Sequence, residues 1–168
     1  MQNAKDTFYE MFRNRLAAVN PERTIVVRGL TRPAVIVEEN ELTTAFHMPT
    51  CFRLRWLQMA TDANGVMPLM TMPCVIEYET PGTATNGGMD RGRTLAAMDG
   101  ELLTVLNQWP RSAQKKNYTP LSSGNAVVPM STNIWWAEPA FAAIEVKQDR
   151  LARAATVAVM SYEEAGEL

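Results

Sequence analysis

The stretch CFRLRW, residues 51–56, constrains this chain more than any other. Phe52, Leu54 and Trp56 alternate with Arg53 and Arg55, the period of a strand with one packed face and one cationic face. A second alternation sets Cys74, Ile76 and Tyr78 against Glu77 and Glu79 and stops at Pro81-Gly82. A sheet built from such strands must bury its apolar face against another layer.

Two amphipathic stretches supply that layer. From Asp6 the residues Phe8, Met11, Phe12, Leu16 and Val19 fall at helical spacing, with Asp6 or Thr7 as N-cap and an end before Pro21. From Asp90, Leu95, Met98, Leu102, Leu106 and Trp109 share one helical face until Pro110. Gly92 and Gly100 weaken that second helix by roughly 1 kcal/mol each relative to alanine.

Further strands follow from β-branched runs. TIVVRG and AVIVEE, separated by Leu30 to Pro33, read as the two strands of a hairpin with Pro33 at an edge. IWWAE, FAAIEVKQ and LARAATVAVMSYEE read as C-terminal strands, because Leu151, Ala155, Val157 and Val159 recur in period two. A helix over 151–160 competes there, since its alanines permit it. Residues 81–89 have little apolar content and three glycines nearby, which predicts a flexible loop. Residues 111–133 contain Pro120, Pro129, Gly124 and several serines, which predicts a long irregular loop that serves as an interaction arm. The expected fold is one α+β domain over 1–168: a mainly antiparallel sheet, two principal helices packed on one face, and the long loop before the C-terminal strands.

Composition narrows the function classes. The formal net charge is -2, with no run of Lys and Arg able to neutralise a row of phosphates, so sequence-specific nucleic-acid binding is not expected. The one basic cluster, RSAQKK at 111–116, reads as a solvated loop. No window approaches the roughly 18 apolar residues that span a bilayer, and the N-terminus lacks the apolar stretch of a signal peptide, so no membrane partner and a cytosolic setting are expected. Cys51 and Cys74 fit there as small buried hydrophobes.

Candidate chemistry is sparse. His47, Cys51 and Cys74 offer three ligands for zinc, but His47 and Cys51 flank Pro49 rather than a helical turn, and no Cys-x-x-Cys is present. A small hydrolase or metal enzyme using His47 with Cys51 is the alternative reading; no Gly-x-Ser-x-Gly elbow supports it. The carboxylate pairs Glu38/Glu39, Glu77/Glu79 and Glu163/Glu164 read as solvated faces. The glycines before the second helix lack Gly-Lys-Ser/Thr and Gly-x-Gly-x-x-Gly, so no nucleotide or other cofactor is expected. The sequence therefore points away from an enzyme and toward contact surfaces. Trp135 and Trp136, adjacent on a strand, point to opposite faces, so one belongs to the core and the other is either covered by the long loop or available to a subunit. Arg53, Arg55, Glu77, Glu79, Lys115 and Lys116 complete the candidate interface, with Arg–Glu pairing inside one subunit as the plainer account of the first four.

The opening FYEMFRNRLAAVNPERTIVVRG, followed by RPAVIVEENEL, resembles the start of the tail terminator, or tail completion, proteins of long-tailed bacteriophages. CVIEYE, a glycine-bearing loop, the helix DRGRTLAAMDGELLTVL and a terminal strand pair that begins at a tryptophan segment keep that order along nearly the whole chain. The resemblance implies a structural virion protein assembled in the host cytoplasm, in a ring of six copies that caps the tail tube and meets the head-tail connector or stopper, with DNA passing through the ring. A connector, stopper or minor tail protein is the neighbouring possibility. No reaction and no cofactor are implied.

Overall fold

A computed structural model describes residues 1–41, 48–164 and 167. Helix α1 (Gln2–Val19) precedes strands β1 (Thr24–Val27), β2 (Leu30–Pro33) and β3 (Val35–Val37) and the single turn α2 (Glu38–Glu41). Strands β4 (Phe52–Trp56), β5 (Ala60–Asp62) and β6 (Leu69–Thr80) lead to helix α3 (Arg91–Asn107). Strands β7 (Ser112–Asn117), β8 (Val128–Trp136), β9 (Ala140–Phe141), β10 (Glu145–Lys147) and β11 (Arg150–Tyr162) complete the chain. The main sheet runs β3-β4-β6-β11-β8-β7, with β5 beside β6 and both β9 and β10 beside β11. All its pairings are antiparallel except β3 with β4, so the fold is α+β with a sheet-dominated core.

The long pair β6–β11 is the spine, in register from Leu69↔Tyr162 to Thr80↔Leu151. That register settles the ambiguity at 151–160 in favour of a strand. Alanines allow a helix locally, but only an extended chain aligns Ala155, Val157 and Val159 with the apolar face of β6. Both helices cover that face. Ala4, Phe8, Phe12 and Leu16 of α1 recur every fourth residue, and Leu95, Met98, Leu102, Val105 and Leu106 of α3 join them on Phe52, Leu54, Cys74 and Ile76. Phe8 sits edge-on to two indoles, with ring centroids 5.8 Å from Trp56 and 5.7 Å from Trp136, and so ties the two sides of the sheet together.

The helices are also joined by charge. Arg15 donates to the last carbonyls of α3 and the residues beyond it: Val105 O at 3.0 Å, Gln108 O at 2.8 Å and Pro110 O at 2.7 Å. A cation at a helix C-terminus meets both the unpaired carbonyls and the negative end of the dipole.

Several elements differ from the sequence reading. Helix α1 begins at Gln2 rather than at a cap on Asp6 or Thr7; the Thr7 hydroxyl donates within the helix to Asn3 O and accepts from Lys116 N. Trp109 lies beyond the end of α3 and is 80% exposed instead of sharing its buried face. The partner of TIVV is Leu30–Pro33, the stretch taken as a connection, because Arg28 (φ 52) and Gly29 (φ 80) form a two-residue turn. AVIV instead runs parallel to β4, Val35 opposite Phe52. Segment 111–133 is not a long irregular loop. It holds β7, a 3-10 turn at Thr119–Ser123 and the first part of β8. Pro120 lies in the first positions of that turn, and Pro129 pairs with Lys116 at the edge of a bulge in β8, where Met130, Ser131 and Thr132 lie opposite Lys115 alone, a place in a strand that tolerates proline. Residues 81–89 connect β6 to α3 around a 3-10 turn at Ala84–Asn86, fastened where Asp90 accepts from Thr83 N and Oγ1, both at 2.9 Å.

Candidate interaction surface

The face of the sheet away from the helices carries the charged half of the alternation. Arg53 lies directly across from Glu77 in the β4–β6 register, and its guanidinium donates to Glu77 Oε2. Arg55 donates to Glu77 Oε1 at 3.0 Å and lies 3.7 Å from Glu38 Oε2. Burial opposes ionisation of Glu77, but the hydrogen bonds and charges of the two arginines outweigh it and lower its pKa. Glu79 is buried and accepts from Arg150 Nη1 at 2.6 Å. Arg53 and Arg55 thus share Glu77 within one chain, the cross-strand pairing that is the plainer alternative, while Glu79 takes Arg150 instead. A cleft of about 260 Å³ opens beside this network, bounded by Met48, Cys51, Glu145 and Lys147.

The two tryptophans part as the strand period requires. Trp136 is core, with Nε1 donating to Leu106 O at 2.8 Å and the Arg15 guanidinium 5.0 Å over its ring. Trp135 faces the other way, half-buried, and packs on Tyr162 with centroids 5.3 Å apart. Its cover is a neighbouring strand, not the expected loop.

Lys115 and Lys116 correct the reading of RSAQKK as solvated. Opposite the β8 bulge Lys115 turns inward and is fully buried; Nζ donates to Tyr162 O and to Glu167 Oε2, both at 2.6 Å, and lies 3.5 Å from Glu164. Lys116 pairs with Glu10 at 3.0 Å, and the Tyr118 hydroxyl donates to the same carboxylate. Burial and that carboxylate push the Tyr118 pKa up, while Glu10, despite burial, is lowered by the bonds it accepts. Lys115 is therefore closed to any partner.

The residues of the enzyme alternative are only partly placed. His47 lies outside the described residues. Cys51 and Cys74 are both buried, and burial pushes the Cys74 thiol far up, away from the thiolate a nucleophile needs. Among the described residues no three His, Cys, Asp or Glu side chains stand where a metal ion would bind, and no helix is long and apolar enough to cross a membrane.

What sequence reasoning missed are the apolar side chains left uncovered on projecting hairpins. Val26 is 61% and Leu30 71% exposed on β1–β2, and Val146 is 80% exposed on β10. The alternation of Ile144 and Val146 with Glu145 and Lys147 carried the signal for the last of these. No family model matches this sequence, and no curated protein matches it.

Proposed function

We propose that this chain is a structural assembly subunit, the tail terminator of a long-tailed bacteriophage. Copies form a ring at the head-proximal end of the tail tube, with the tube protein on one side, the head-tail connector or stopper on the other, and DNA in the lumen. One observation carries the reading: most of the charged candidates spend their charges inside the subunit, while apolar side chains stand exposed on hairpins at its margins. Exposed apolar side chains beside charges that are paired within the chain serve contact rather than reaction. The order of elements, with a helix before each group of strands, is the order on which the resemblance rests. A connector, stopper or minor tail protein would share these features and differ only in position.

Deleting the gene from its phage tests the proposal. The expected particles have tails that are abnormal in length or unattached to heads, restored by the gene supplied in trans. Normal-length tails joined to heads would overturn it, and labelling the chain in whole particles separates the terminator position from its neighbours.

A further inference from the structure

Asparagine followed by glycine occurs twice in the chain, at Asn64-Gly65 and at Asn86-Gly87, and the fold treats the two pairs differently. In such a pair the glycine amide nitrogen can close a five-membered ring on the asparagine Cγ, because no glycine side chain obstructs the rotation that brings it there. Closure needs that amide free and the backbone around it loose.

Asn86 meets neither condition. It ends the 3-10 turn Ala84–Asn86, and Gly87 caps the turn in the left-handed region at φ 57, its N–H donating to Ala84 O at 3.2 Å. The neighbouring amides are committed too, Gly88 N to Thr83 O at 3.1 Å and Met89 N to Asn86 O at 3.0 Å. Attack by Gly87 N would undo the turn that Asp90 fastens through Thr83.

Asn64 meets both. It lies between β5 and β6 in the exposed stretch 63–67, outside any helix or strand, and the Gly65 N–H has no acceptor among the described residues. What holds Asn64 is Asp62, whose Oδ1 accepts from Asn64 N at 3.0 Å and from Nδ2 at 2.7 Å. That tie is open to water and engages Nδ2, the group that departs, rather than Cγ.

We propose that Asn64 is a site of spontaneous deamidation in the folded protein and that Asn86 is protected. The Gly65 nitrogen gives its proton to hydroxide and bonds to Asn64 Cγ. The Cγ–Nδ2 bond breaks, and ammonia leaves with a proton from solvent. Water then opens the cyclic imide at either carbonyl, giving aspartate or isoaspartate at position 64. The product adds one negative charge to the formal -2 and sets a carboxylate against Asp62 where a donor stood, so like charges replace a hydrogen bond. Strand β5, three exposed residues whose one partner among the described strands is β6, loses its tie to the turn.

The test is a time course on the purified full chain in mildly alkaline buffer, folded and in concentrated urea, read by peptide-mapping mass spectrometry. In the folded protein, conversion at position 64 is expected to outpace that at position 86 by at least about tenfold, and in urea, where the turn is gone, the two rates are expected to converge. Equal rates at both positions in the folded protein would overturn the proposal, as would an intact Asn64 after the unfolded chain has converted. Asn64→Gln, whose longer side chain must close a six-membered ring, is expected to abolish the gain of charge in the folded protein; an unchanged rate would overturn the assignment to this residue.

Discussion

Glu164 and Glu167 follow β11 closely and are held by different means. Glu164 accepts four hydrogen bonds, from the amide and hydroxyl of Ser131 at 3.1 and 2.7 Å and from the amide and hydroxyl of Thr132 at 2.8 and 2.5 Å. Burial works against its charge, yet these donors win and pull its pKa from 4.5 to about 2. A folded value below the unfolded one means that its contribution to stability is complete above pH 4.5 and is lost as pH falls through about 2. Glu10, Glu77 and Glu167 are lowered as well and add to the same acid limb. Glu164→Gln is therefore expected to be less stable at neutral pH and to show a shallower fall between pH 4.5 and 2, measured by urea unfolding across that range; parallel curves would remove Glu164 from the account. Glu167 depends instead on Lys115, and both side chains are fully buried. Lys115→Met removes the buried ammonium from that carboxylate, leaving it the Glu164 amide and the N-terminal ammonium, and is expected to cost about 3 kcal/mol, with part recovered in the Lys115→Met, Glu167→Gln double variant of a denaturation cycle. Nothing in SAQKKN separates the buried lysine from its half-exposed neighbour. The bulge that does so depends on pairing with β8.

Helix α3 and the bridge leading into it show two opposite uses of glycine. Gly100 lies exposed within the helix with nothing near the position of a Cβ, so Gly100→Ala is expected to stabilise the protein by about 0.5–1 kcal/mol. Gly88 has φ +76, and a Cβ there would lie 2.7 Å from Pro81 O. Gly88→Ala is expected to destabilise by more than about 1 kcal/mol, with Tm shifts of opposite sign for the two variants in calorimetry. Sequence alone places Gly100 in a helix and Gly88 in a flexible loop, and it cannot say that a side chain is tolerated at the first and excluded at the second, because neither φ nor a close approach is visible in residue identity. The same limit governs the strands. The Arg28-Gly29 turn makes β1 and β2 a hairpin, but two consecutive β-branched runs invite the wrong partner, since β propensity says nothing about who pairs with whom.

The whole molecule is held where residues distant in sequence converge, and Phe8 is the clearest case. Its ring meets Trp56 and Trp136, one on each side of the β6–β11 spine, so Phe8→Ala opens a cavity between helix and sheet. It is expected to cost about 3–5 kcal/mol in chemical denaturation, whereas truncating the exposed Val146 leaves the midpoint unchanged. The periodicities alone determined that Phe8, Phe12, Phe52, Leu54, Ile76, Leu95 and Leu102 face a common core and that the fold is α+β, because the facing of a side chain follows from helix and strand periods, which are local. Only the tertiary structure decided that β3 runs parallel to β4, that segment 111–133 contributes two strands to the sheet, that Arg53 and Arg55 share Glu77, and that Lys115 is buried while Val146 is not. Each of those outcomes depends on a contact between parts of the chain far apart, Lys115 with Tyr162 or Trp136 with Leu106, and such contacts are fixed by the global packing rather than by the residues that make them.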